Sequence, residues 1–140
     1  MLTNKYNEVF KVLYGYLNDE SEYSPLVTKK APLRPTTFPV VDIRGMEMPL
    51  DETTRREEWQ NRLEITINIY AIEKVVDGRK VSGLEIIEEL MNLIDKAMME
   101  MHFTMTGNRE IENADKNVDR HLLTYVAGVS GLNNKLIRRN

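Results

Sequence analysis

The sequence predicts a single α+β domain in which two helices pack on one face of a small, largely antiparallel sheet of four strands. Two segments carry this prediction. Residues 63–70 alternate apolar and polar side chains, which is the period of a half-buried strand. A helix then begins at Ser82, which is followed three residues later by Glu85 in the pattern of a capping box. With the remaining segments, the order is helix, strand, strand, helix, strand, strand. Two helices packed on one face of the sheet would bury every apolar stripe.

The composition is that of one globular domain. A chain of 140 residues has the length of one domain, and its net charge of −3 argues against a dedicated duplex-DNA-binding protein, which is usually basic. The chain contains no cysteine, so disulfides, thiolate nucleophiles and cysteine zinc sites are excluded. We find no signal-peptide pattern at the N-terminus and no run that approaches the roughly 20 apolar residues of a membrane span, so we expect a soluble, cytosolic protein.

The first third of the chain predicts a helix followed by an extended connection. Apolar side chains recur at three- and four-residue spacing between Tyr6 and Leu17, which is typical of a helix that packs on a core. All five prolines fall between residues 25 and 49, and proline removes a backbone donor. We therefore expect residues 18–37 to be an extended connection. Residues 38–43 follow as a strand, with Pro39 indicating an edge position or the beginning of the strand.

Residues 44–59 predict a long polar loop. The segment contains Gly45, Pro49 and a cluster of charges, which is typical of a solvated surface. Met46 and Met48 are less expected in such a loop, and contact with a partner would explain them, although isolated exposed apolar residues are also normal.

The helix that begins at Ser82 has an apolar stripe and a polar stripe. The apolar stripe is formed by Leu84, Ile87, Leu90, Met91, Ile94, Met98 and Met101. Met99 continues the polar stripe, either as a solvent-exposed side chain or as a contact with a neighbouring subunit. Beyond the helix we expect a strand at 103–106, a turn at 107–108 and a loop at 111–117. A last strand at 119–129 and a C-terminal tail at 133–140 complete the domain.

No catalytic, cofactor or metal site is predicted. The histidines, His102 and His121, lie in no recognisable motif, and we find neither a nucleophile elbow, a Walker loop nor a dinucleotide glycine pattern. Glu112, Asp115 and Asp119 form an acidic segment without the spacing of a calcium loop. We therefore expect a protein that is not an enzyme.

The order of segments resembles the tail-terminator or tail-completion proteins of long-tailed bacteriophages, including the tail-to-head joining type. Four short segments carry the resemblance: Phe38-Pro39-Val40-Val41-Asp42-Ile43, Asn68-Ile69-Tyr70-Ala71, Phe103-Thr104-Met105-Thr106, and Ile111-x-Asn113-x-Asp115 followed by Arg120 and Tyr125. The resemblance covers roughly residues 38–129. The sequence departs from the family pattern between Ala114 and Val118, where it carries an extra Lys-Asn pair, and in its proline-rich approach to the first strand.

The resemblance implies a structural virion protein that works in the tail or neck and assembles in the host cytoplasm. Family members form rings, commonly hexamers, that cap the tail tube and then meet the head connector. The implied partners are the chain itself, the tail-tube protein and the connector or neck protein, with DNA only as passing cargo, no membrane and no cofactor. Candidate contacts with the next subunit or the tube are Met46, Met48, Asp51, Glu52, Arg55, Arg56, Tyr70 and Met99.

Three alternatives stay open. A neck adaptor on the head side has a similar small fold and no chemistry that distinguishes it. A nucleic-acid or small-ligand module would need a basic aromatic face, for which Arg120, Tyr125 and the C-terminal pair Arg138-Arg139 are candidates. A metal-assisted hydrolase would use the acidic segment that contains Glu112, Asp115 and Asp119.

Overall fold

The computed structural model describes residues 5–49, 61–129 and 136–137. Two helices and eight strands occur there in the order α1 (Lys5–Glu20), β1 (Leu26–Thr28), β2 (Val40–Pro49), β3 (Asn61–Ala71), β4 (Lys74–Val76), β5 (Arg79–Val81), α2 (Gly83–Glu100), β6 (Thr104–Ile111), β7 (Asp119–Val129) and β8 (Leu136–Ile137). Neither helix of this part of the chain is long and apolar enough to span a membrane.

The main sheet is larger than the four strands that the sequence predicts. Its strands follow the order β1-β2-β3-β7-β6, and β8 pairs with the end of β7. The prediction of a four-stranded sheet is therefore wrong, because β1 joins the sheet as a parallel neighbour of β2 and a separate hairpin, β4-β5, forms a second sheet. Strands of three residues are too short to show an alternating pattern, which is why the sequence did not indicate them. The α+β class with two helices is confirmed.

Strand β2 also differs from its prediction. The strand begins at Val40, directly after a cis Phe38–Pro39 peptide bond, and continues to Pro49, where it pairs with Asn61 of β3. Residues 44–49 are therefore strand and not the first part of a polar loop. They appear loop-like in sequence because Arg44 and Met46 are exposed on the sheet face opposite α1 and α2. The rest of the predicted loop lies outside the described residues.

Strand β6 runs through the predicted turn at Gly107 and Asn108. The strand is continuous from Thr104 to Ile111, and its register against β7 shifts between Met105 and Gly107. Glycine is required at this bulge because a Cβ at Gly107 would collide with the Thr124 hydroxyl. The prediction of a turn was wrong because a bulge and a turn both favour glycine.

The core lies between the helices and one face of the main sheet. In β3 the alternate residues Leu63, Ile65, Ile67, Ile69 and Ala71 are fully buried there. Helix α1 contributes Val9, Leu13 and Leu17, and helix α2 contributes Ile86, Ile87, Leu90, Ile94, Ala97 and Met98. Leu84 does not belong to this stripe as predicted, because it is 56% exposed.

The start of α2 confirms the predicted cap. The Ser82 hydroxyl accepts a hydrogen bond from the Glu85 backbone N–H at 3.1 Å. The carboxylate of Asp119, on β7, lies against Gly83 in the first turn, where the helix dipole favours negative charge.

Candidate interface: the open face of the sheet

The candidate site is the sheet face opposite the helices, which we call the open face. It is formed by alternate residues of each strand, out of phase with those that build the core. In β3 these are the predicted polar residues Glu64, Thr66, Asn68 and Tyr70, all half-buried. In register beside them lie Met46, Arg44, Asp42 and Val40 of β2, and Val126, Thr124, Leu122 and Arg120 of β7.

Asp42 and Arg44 form an ion pair on this face. The side chain of Asp42 is only 3% exposed, and its Oδ2 atom lies 3.1 Å from Nη2 of Arg44. Arg44 Nε donates to the same oxygen at 3.2 Å. A carboxylate removed from water needs such a partner. The hydrogen bond to Asp42 raises the pKa of the Arg44 guanidinium, which remains largely exposed at the surface.

Arg120 of β7 contacts two residues of the neighbouring strand β3 on the open face. Its Nη2 and Nε atoms donate to Oδ1 of Asn68 at 2.9 and 3.1 Å. The guanidinium also lies 5.1 Å from the centre of the Tyr70 ring, within the range of a cation–π contact. Asn68 therefore orients the Arg120 guanidinium, which in turn contacts the Tyr70 ring.

A cavity of about 390 Å³ opens at the Tyr70 end of this face. Its lining comes from the connection before β2, from Tyr70 and from the loop before β7, and consists of Leu33, Arg34, Pro35, Phe38, Tyr70, Asn113, Ala114, Asp115 and Val118. Hydrogen bonds within the loop before β7 hold its shape. Asp115 Oδ1 accepts from the Asn117 N–H at 2.9 Å, and the Asp115 carbonyl accepts from the Val118 N–H at 3.1 Å. This lining is mainly apolar, with one cation and one carboxylate.

Five residues of the segments that carry the family resemblance meet at this end of the sheet. Phe38, Tyr70, Asn113 and Asp115 line the cavity, and Arg120 contacts Tyr70 from the neighbouring strand. Pro39 is buried at the entry to β2. Phe103 and Tyr125 lie elsewhere, in the core, where the Tyr125 hydroxyl donates to Asp95 Oδ1 of α2 at 3.1 Å. Burial and the nearby Asp95 raise the pKa of Tyr125.

Tyr70, one of the eight predicted contact residues, is half-buried on the open face beside Arg120, and the other seven fall in three groups. Met46 on the open face and Met99 on α2 are 61% and 64% exposed, so both are accessible to a partner. Met48 lies in β2, but its side chain is outside what the structure describes. Asp51, Glu52, Arg55 and Arg56 lie outside the described residues altogether.

Two predicted constellations do not form. Asp115 lines the cavity, whereas Asp119 lies against α2 on the opposite side of the sheet, so these carboxylates do not converge. Within the described ranges, no three acidic or histidine side chains are placed to hold a metal ion. Arg120 and Tyr125 also project from opposite faces of β7 and cannot share a stacking surface.

The two histidines lie apart from each other. His102 follows the end of α2 with a φ of 68°, whereas His121 is on β7 and contacts Asn108 of β6. Burial lowers the pKa of His121.

The sequence prediction missed the arginines of the open face. Arg44, Arg62 and Arg109 all project there, at alternate positions of β2, β3 and β6. Extending the period-two pattern of Val41 and Ile43 by three residues would have placed Arg44 and Met46 on one face. Arg109 could not be placed this way, because the bulge after Met105 changes the phase of β6.

Neither a scan against protein-family models nor a search of curated proteins finds a match for this chain.

Proposed function

We propose that this chain is a structural protein of a long-tailed bacteriophage or prophage, which forms a ring that caps the tail tube and joins the tail to the head. The order of segments supports this proposal through its resemblance to tail-terminator proteins. The proposal is also supported by five residues of the family-like segments that meet at one end of the sheet: Phe38, Tyr70, Asn113, Asp115 and Arg120. The function needs no catalytic group, since geometry and interface energy are sufficient.

The observation that carries the proposal is the placement of exposed apolar side chains on two opposite sides of the subunit. Met46 lies on the open face, and Leu84 and Met99 lie on the outer side of α2, each more than half exposed. A closed ring uses a heterologous interface, in which one surface of a subunit meets a different surface of the next. The sheet layer and the helix layer of this subunit each expose apolar side chains, and they can supply the two different surfaces of such an interface.

The cavity end of the open face is the part that we assign to a different neighbour in the virion. Its lining combines the 33–38 connection with the 113–118 loop, and connecting loops on a rigid scaffold are common places for specific contacts. The tail-tube protein and the head connector are the two candidates, and DNA passes the ring only as cargo. A neck adaptor on the head side would use the same kind of ring, so binding to the tube separates these two functions.

The direct test is binding to purified tail tubes, observed by electron microscopy. We expect the wild-type protein to decorate one end of each tube and to leave the side walls free. Light scattering across a concentration series measures self-association in parallel. A variant with Met46→Asp and Met99→Asp is expected to fold and to lose the end decoration, because both side chains are exposed and the change makes each site polar.

Two results would contradict the proposal. A protein that stays monomeric and ignores tail tubes is not a terminator. A protein that ignores tail tubes but binds the connector of tail-less heads is a neck adaptor, and the assignment would move to the head side.

A further inference from the structure

The open face carries an excess of positive charge. Among the residues that the structure describes, its charged side chains are four arginines and two carboxylates: Arg44, Arg62, Arg109, Arg120, Asp42 and Glu64. Asp42 is buried against Arg44, and Glu64 lies 3.7 Å from Arg62. Arg109 is exposed and forms no ion pair within the described part of the chain. The basic face belongs to a chain whose net charge is −3, so negative charge is concentrated elsewhere.

The outer surface of the two helices carries the opposite charge. Its exposed charged side chains, within α1 and α2, are six carboxylates and two lysines: Glu8, Asp19, Glu20, Glu85, Glu88, Glu100, Lys11 and Lys96. Glu8 bonds Lys5 and Glu85 lies near Arg79, whereas Glu88 and Glu100 form no ion pair within the described residues. The two layers of one subunit are therefore complementary in charge.

The outer side of α2 also matches the open face in length. Leu84, Glu88, Asn92, Lys96 and Glu100 follow one another at four-residue spacing, and Met99 lies beside them, three residues after Lys96. From Leu84 to Met99 this stripe is about 22 Å long, given a rise of about 1.5 Å per residue. Five strands about 4.8 Å apart span about 20 Å, so one helix stripe covers the width of the open face.

We infer that the outer surface of the helices of one subunit, centred on the α2 stripe, docks on the open face of the sheet of the next subunit. This inference rests on the proposed function, because it assigns the two surfaces of the ring interface. Met99, at one end of the stripe, brings apolar contact to Met46, and the acidic helix surface meets the open-face arginines. The contact is head-to-tail, since each surface opposes its complement and repels its own copy.

A second copy fits the open face better than a single-stranded nucleic acid does. Such strands bind on exposed aromatic rings that stack with successive bases. Among the described residues, Tyr70 is the aromatic side chain of the open face, and Arg120 already contacts its ring. The acidic, partly apolar helix surface, by contrast, complements both the arginines and Met46.

A charge swap between the two surfaces tests the inference. The sheet variant carries Arg62→Glu and Arg109→Glu, and the helix variant carries Glu88→Arg and Glu100→Arg. Arg44 is left unchanged because it neutralises the buried Asp42. A control variant with Glu73→Lys and Lys80→Glu reverses two exposed charges that lie outside both surfaces and outside the loops that line the cavity. Circular dichroism and urea unfolding verify that every variant is folded.

Self-association is measured by sedimentation and by decoration of tail-tube ends. We expect each charge-reversed variant to associate about tenfold or more weakly than the wild type, because like charges then face each other. Association returns in the fourfold variant that carries both pairs of changes, and also in an equimolar mixture of the sheet and helix variants. The control variant behaves like the wild type.

The outcomes separate this inference from the proposed function. If the wild type assembles but the sheet and helix variants are unaffected or are not restored by the swap, the inference is wrong and the proposed function stands. If the wild type associates neither alone nor on tubes, both are wrong. If a single-stranded oligonucleotide binds the wild type and the sheet variant alone loses it, the open face is a polyanion site and the inference is overturned.

Discussion

Glu89 is a carboxylate that this fold buries with incomplete compensation. Both of its oxygens are inaccessible to solvent and lack a hydrogen bond of good geometry. Burial raises the pKa of Glu89, and the Ser21 hydroxyl and the Glu22 backbone N–H, which favour the charged form, lower it only in part. The carboxylate of α2 therefore lies beside the two residues that follow α1.

Replacing Glu89 with glutamine should stabilise the protein at neutral pH. Because the pKa of Glu89 is higher in the folded state, the carboxyl ionises first in the unfolded state as the pH increases. The free energy of unfolding therefore falls as the pH rises, until the pH passes the folded-state pKa. At pH 7, Glu89→Gln should therefore stabilise the protein by about 1 kcal/mol, because a neutral amide avoids the cost of burying the charge. The gain should vanish below about pH 4, where the carboxyl is protonated in both states.

Urea unfolding at pH 7 and pH 4 measures this effect. Glu88→Gln is the matched control, since Glu88 is the adjacent exposed residue on the same helix and should leave the unfolding midpoint unchanged. A Glu89→Gln protein that is less stable than the wild type at pH 7 would mean that the carboxylate has a stabilising partner.

At the scale of elements, the N-terminus of α2 is a local feature that sequence and structure describe in the same way. The Ser82 hydroxyl caps the Glu85 N–H at 3.1 Å. Ser82→Ala should lower the free energy of unfolding by about 1 kcal/mol, because one backbone donor of the first turn loses its acceptor. Ser82→Asp keeps an acceptor and should cost little. Equal unfolding midpoints for the alanine variant and the wild type would show that water replaces the cap at no cost.

Elements with a long internal period could be predicted from the sequence, and elements defined by pairing could not. Residues 63–70 alternate over eight positions, and α2 has both a cap and an apolar stripe, so both appear where expected. Strand β1 has three residues and exists only because Leu26–Thr28 pairs in parallel with β2. The continuation of β2 to Pro49 depends in the same way on its partner β3.

The candidate site could be predicted only in part for the same reason. Exposure of Met46 and Met99 follows from their positions in polar segments. The contact between Tyr70 and Arg120, which is 50 residues later, depends on the register of β3 and β7. The cavity also depends on residues 33–38, which form part of its lining. Local patterns contain no information on such distant neighbours.

For the whole molecule, the decisive property is that both helices pack on the same side of the sheet. Ile67 and Thr66 are adjacent in β3 but project to opposite faces: Ile67 is fully buried beneath the helices, and Thr66 is half-buried on the open face. Ile67→Ala should lower the free energy of unfolding by roughly 2–5 kcal/mol, because it leaves a cavity in the core. Thr66→Val, which keeps the β-branched shape, should change it by less than about 0.5 kcal/mol.

Urea unfolding of both variants at a concentration where the protein is monomeric tests this asymmetry. If Thr66→Val were as costly as Ile67→Ala, another part of the same chain would cover the open face, and that face could not receive a neighbouring subunit. The expected difference between the two adjacent positions instead leaves the open face accessible in the monomer. A subunit that already forms its core on the helix side can use the second side of the sheet for assembly without unfolding any part of itself.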